Sequence, residues 1–97
     1  MKHDDTTHLL DAILQMKNRE ELQKFLDDLC TIQELNSMAQ RFEVAMFLDK
    51  GMTYAQIGEI THASTATISR VNRCLVYGEE GYKLAIERLR TQQEEEE

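Results

Sequence analysis

Proline and tryptophan are absent from the 97 residues and glycine occurs only four times, so the residues that punctuate short strands and hairpins are nearly missing. Alternation of β-branched with polar residues is scarce too, and an all-α fold is expected. The two cysteines, Cys30 and Cys74, stand far apart with no Cys-x-x-Cys, and His3, His8 and His62 show no spacing that closes around a metal ion. No metal site is expected, and in a reducing compartment each cysteine reads most simply as a small buried apolar side chain. No stretch approaches the ~20 uninterrupted apolar residues of a bilayer span, and Met1-Lys-His-Asp-Asp5 lacks the apolar run of a secretion signal. A cytoplasmic protein without membrane contact is therefore expected. Catalytic signatures are missing as well: there is no nucleophile elbow, phosphate-binding glycine loop or histidine–carboxylate cluster. The adjacent pairs Glu20-Glu21, Asp27-Asp28 and Glu79-Glu80 diverge on a helix and make poor acid–base or metal partners. We expect no enzyme and no cofactor.

What is present is ordinary for one soluble domain: 41% hydrophobic and 30% charged residues, which we assign to a single domain over residues 1–93. The net charge of −7 argues against a polyanionic partner until its distribution is read. Four carboxylates form the run Glu94-Glu-Glu-Glu97, expected to be a disordered, solvated tail. None lies between Ser64 and Tyr77, a stretch that holds Arg70 and Arg73. An anionic partner can approach there.

Apolar residues recur at helical spacing in Leu9, Leu10, Ile13 and Leu14, in a helix ending near Lys17. Asn18 with Glu21 three residues on opens a second helix, striped by Leu22, Phe25, Leu26 and Leu29. Thr31 with Glu34 forms another capping box, and the helix it opens carries Leu35, Met38, Ala39, Phe42, Ala45, Met46 and Leu48. It stops at Lys50-Gly51, where glycine supplies the left-handed conformation that helix ends favour. Met16, Met38, Met46 and Met52 are expected to fill gaps in the core.

A third capping box, Thr53-Tyr-Ala-Gln56, starts a short helix with Ala55, Ile57 and Ile60 as its buried stripe. It has to end by His62-Ala63, because Ser64 is a fresh N-cap. The next helix, Thr65 to Leu75, turns Ile68, Val71, Cys74 and Leu75 inward. Two short helices joined by a tight turn, the second opening with small polar residues, make a helix-turn-helix over residues 53–75. At 100° per residue, Thr65, Ser69, Asn72, Arg73 and Val76 fall opposite the inward stripe, with Arg70 at its margin. That small, polar, cationic side suits a major groove: hydroxyls and amides reach base edges, Ala66 allows close approach to thymine methyls, and Arg73 meets guanine or phosphate.

The run Gly51-Met-Thr-Tyr-Ala-Gln-Ile57, then Ala63-Ser-Thr-Ala-Thr-Ile-Ser-Arg70, then Leu75, resembles the helix-turn-helix of the Trp repressor superfamily. The closing Tyr77-Gly-Glu-Glu-Gly-Tyr82 is similar to the YerC/YecD-like branch. With Thr31 to Arg41 upstream, the likeness spans roughly residues 25–82. It implies an intertwined helical homodimer of about six helices per chain, with each subunit's amino-terminal helices wrapping the other. The stripes agree, because those of the first three helices are too wide for one thin layer of neighbours in a chain this short.

The resemblance also implies an effector pocket that holds tryptophan in one member, with Thr31, Arg41, Thr67 and Arg70 at the matching positions. Two guanidiniums there would pair with a carboxylate. Val71 argues against it, since it stands where that member has glycine and would intrude on an indole; Cys74 replaces a serine. Two functions follow. The first is a dimeric, sequence-specific DNA-binding repressor reading a pseudo-palindrome in double-stranded DNA, with Thr65, Ala66, Ser69, Asn72 and Arg73 toward bases and Thr53, Tyr54, Gln56 and Arg70 toward phosphates. The alternative is a helical dimer that uses the same surface to bind another protein, which the overall acidity favours.

Overall fold

The computed structural model describes residues 4–96, Asp4 and Glu96 by their backbone; His3 and Glu97, named above, lie outside the described residues. A 3-10 turn at Asp4–Thr6 leads into six α-helices: α1 (Thr7–Gln15), α2 (Arg19–Leu29), α3 (Ile32–Asp49), α4 (Tyr54–Thr61), α5 (Thr65–Tyr77) and α6 (Gly81–Glu96). No strand occurs among the described residues. The all-helical expectation is met, and each capping signal falls at a helix start. The Asn18 side chain accepts from the Glu21 N–H at 2.9 Å, and the Thr31 hydroxyl accepts from the Glu34 N–H at 3.0 Å while Glu34 reaches back to the Thr31 N–H at 2.8 Å. Gly51 adopts φ +84°, the left-handed geometry expected where α3 ends.

Two compact units divide the chain, residues 1–36 and 37–97. The first contains α1, α2 and the opening of α3. Neither α1 nor α2 buries a single residue. Leu9, Ile13, Leu22, Phe25 and Leu26 are half-buried, while Leu10, Leu14, Leu29 and Ile32 are 54%, 77%, 51% and 79% exposed.

The second unit holds the core. Val44 and Ala45 of α3, Ile57 of α4, Ala63 of the turn, Ile68 and Val71 of α5 and Ile86 of α6 form one buried cluster, with Phe42, Met46, Phe47, Leu48, Met52 and Tyr82 packed around it. Fully burying such a side chain stabilises a fold by roughly 1.5–3 kcal/mol, so this cluster is what fixes α4 and α5 in place. Phe42 and Tyr82 stack with centroids 6.5 Å apart, and Arg90 pairs with Asp49 at 2.8 Å on the surface, tying α6 to α3.

Several expectations are corrected. Ala55 and Ile60 are exposed, leaving Ile57 as the one buried anchor of α4, whose eight residues present too narrow an arc to bury more. Met38 is exposed rather than core-filling, although Met46 and Met52 do pack on the core. Neither cysteine is buried: Cys30 is half-buried and Cys74 exposed, both as free thiols. Helix α6 extends to Glu96, and the glutamines and glutamates at its end are strong helix formers. A charge run reports solvation, and a solvated stretch can still be helical.

Candidate nucleic-acid interface

The interface is built from α4, a three-residue turn and α5. Thr53 caps α4 through both halves of its box: its hydroxyl accepts from the Gln56 N–H at 3.2 Å, and the Gln56 carbonyl oxygen accepts from the Thr53 N–H at 2.9 Å. The turn, His62 to Ser64, is short because His62 takes φ 63°, reversing the chain in one residue. Ser64 then caps α5, its Oγ accepting from the Thr67 N–H at 3.1 Å.

Ile68, Val71 and Leu75 are buried, which sets the rotation of α5 and so decides what it shows to solvent. Thr65, Ala66, Ser69, Arg70 and Arg73 are all exposed. Arg70 therefore belongs to the outward side and not to its margin. Asn72, expected to point outward, is half-buried, because at 100° per residue it lies only about 40° round the helix from Ile68. Cys74, expected inward, sits about 60° beyond Val71, on the far side from Leu75, and escapes the core. The outermost line runs Ala66, Arg70, Arg73, Tyr77 at steps of four, three and four residues. Sequence reasoning carried the outward side as far as Val76, which is 53% exposed, but left out Tyr77, which is 84% exposed. Its place four residues past Arg73 was the signal that identifies it.

Of the residues expected toward phosphates, Thr53, Tyr54 and Gln56 are all exposed at the start of α4. Gln56 uses its carbonyl oxygen and Thr53 one lone pair in the capping box, which leaves the Gln56 NH2 and the Thr53 O–H as donors for a phosphate oxygen. The surface so assembled is cationic, hydroxyl-rich and, along α5, free of carboxylates. Its guanidiniums, hydroxyls and amide donors are groups that can pair with the phosphates of a polyanion.

The model of the family described as Trp repressor protein matches residues 4–90. The chain belongs to the Trp repressor family. It is 49% identical over 90 residues to the uncharacterized protein YerC of Bacillus subtilis, covering 93% of this chain and 86% of that protein. A crystal structure of a TrpR-like protein from Eubacterium eligens superposes with a TM-score of 0.86 at 51% identity, over 91% of both chains. That of a candidate Trp repressor from Staphylococcus aureus does so with a TM-score of 0.85 at 43% identity, over 93% of this chain and 95% of the other. The YerC-like branch is thus the one to which the chain is similar. Trp repressor-like proteins are helix-turn-helix DNA-binding regulators and not enzymes.

The four residues matched to an effector pocket stand as follows. The Thr31 hydroxyl serves as the N-cap of α3 in the first unit. In the second unit Arg41 and Thr67 are half-buried, Arg70 is exposed, and the Thr67 hydroxyl accepts from Ser64 Oγ at 3.1 Å. Val71 is 1% exposed within the core cluster. Among the described residues no group of three or more His, Cys, Asp or Glu side chains is placed to hold a metal ion, and no helix is long and apolar enough to cross a membrane.

Proposed function

We propose that the chain is a dimeric transcriptional repressor of the cytoplasm that reads a pseudo-palindromic DNA site with α5. The observation that carries this reading is the two-sidedness of that helix. Ile68, Val71 and Leu75 anchor it while Ala66, Ser69, Arg70 and Arg73 project from the other side with no carboxylate on the helix. Thr65 and Ser69 offer hydroxyls to base edges, Ala66 gives close approach, Arg73 contacts guanine or phosphate, and Asn72 reaches the groove from its margin. Arg70 joins Thr53, Tyr54 and Gln56 on the phosphates, fixing register.

Dimerisation is supported by the first unit, where Leu10, Leu14, Leu29 and Ile32 stay half or more exposed and a second copy could cover them. Reading a pseudo-palindrome would then call for two α5 helices in successive major grooves about 34 Å apart. Tryptophan is not its effector, since Val71 carries bulk where the ligand-binding member has glycine.

Selection of bound duplexes from a random pool tests the reading. Enrichment of a two-fold symmetric site whose binding is lost in Arg73→Ala supports it. A pool that remains random at about 50 mM salt, or binding indifferent to both Arg70→Ala and Arg73→Ala, refutes it and leaves the surface to a protein partner.

A further inference from the structure

The turn between α4 and α5 is held by more than its dihedrals. Gln40, half-buried on α3, donates its Nε2–H to the Thr61 carbonyl at 3.0 Å. The Thr61 hydroxyl donates in turn to the Ile57 carbonyl at 2.8 Å and accepts the Ala63 N–H at 3.2 Å. Each bond answers a specific need. The last carbonyls of a helix lack partners within it, so the Thr61 carbonyl at the end of α4 is satisfied from a different helix. The Ala63 N–H follows a left-handed residue and belongs to neither helix, yet Ala63 is packed in the core at 9% exposure; the hydroxyl two residues back supplies its acceptor.

Only His62, Ala63 and Ser64 separate the two helices. With so short a connection, the dihedrals of the turn act together with the buried face of α5 in setting the direction of that helix. A relay that ties the turn to α3 on one side and to the last turn of α4 on the other therefore sets the attitude of the exposed face. Base readout tolerates little error in that attitude, because bidentate contacts fail when donors move by a fraction of an ångström.

Resting on the DNA-binding reading above, we propose that Gln40 and Thr61 are positioning residues for that readout: they touch no DNA and set the angle at which α5 enters the groove. Specificity then depends on two side chains remote from the bases. Non-specific binding, which is carried by charge, does not.

The test compares Thr61→Val, Thr61→Ser and Gln40→Leu with the parent, measuring affinity for the selected duplex and for a scrambled one at equal salt. The backbone amide resonances of residues 62–69 are followed in parallel. Thr61→Val removes the hydroxyl with little change of shape and should weaken specific binding about tenfold while shifting non-specific binding less than about twofold. Thr61→Ser restores the hydroxyl and the affinity. Gln40→Leu reproduces the loss, and carries the test alone if Thr61→Val does not fold. In both deficient variants the amide shifts should extend into Thr65–Ser69 instead of stopping at the turn. The proposal is overturned if the folded variants keep specific affinity within about twofold of the parent, even with lowered melting temperatures, for the residues are then only structural. If the parent itself binds no duplex, the functional reading has failed; loss of protection at the Ala63 amide in Thr61→Val would then show the relay intact but without a DNA-reading role.

Discussion

Leu14→Ala should be nearly harmless in a solitary subunit and costly in a dimer. The side chain is 77% exposed in the single chain, so truncating it there removes little that is already buried. Full burial of a leucine contributes roughly 1.5–3 kcal/mol, and about three-quarters of that remains to be gained when a partner covers it. Two-fold symmetry counts each substitution twice. The dimer should therefore be weakened by about 2.3–4.5 kcal/mol, which corresponds to roughly 40- to 1,600-fold in dissociation constant. Sedimentation equilibrium across a concentration series reads this directly, and the melting temperature of the parent should rise with concentration because dissociation accompanies unfolding. A parent that sediments as a monomer at every concentration, or a Leu14→Ala protein that dimerises as tightly as the parent, would refute the reasoning.

Gly51→Ala places a side chain at φ +84° in open space, so only backbone strain is felt; about 1–2 kcal/mol should be lost, read as a lower chemical denaturation midpoint. Gly78→Ala should cost more and disturb the α5–α6 junction, because its Cβ would lie inside van der Waals contact with the Cys74 carbonyl oxygen; a loss no larger than that at Gly51 would contradict this. Ile57→Ala, at a fully buried site, should cost about 2–5 kcal/mol in the same assay. Tryptophan should leave the melting temperature unchanged, whereas a genuine ligand at 100 times its dissociation constant would add about 2.7 kcal/mol.

Much of the fold was legible because it is written in local chemistry. Capping at Asn18, Thr31, Thr53 and Ser64 depends on side chains three residues apart, so those helix starts could be placed without knowing the tertiary structure. Gly51 announced the end of α3 for the same reason. The inward stripe of α5 was also readable, as Ile68, Val71 and Leu75 follow from periodicity. What failed was the width of each stripe. Cys74 and Ile60 sit at the edges of arcs, and whether an edge residue is covered depends on neighbours that periodicity does not describe. Asn72 failed in the opposite direction for the same reason. The Gln40–Thr61 bond spans 21 residues and leaves no local signature, because a glutamine on α3 looks like any polar surface residue until α4 is packed beside it.

The central claim is that the outward side of α5 engages DNA, and the salt dependence of binding to a selected duplex tests it most directly. Removing one arginine–phosphate contact per subunit from a dimer should lower the slope of log affinity against log salt by about 1.8. The account predicts that Arg70→Ala flattens the slope by that amount with little loss of sequence preference. Arg70→Ala binding with the same slope and affinity as the parent would contradict it.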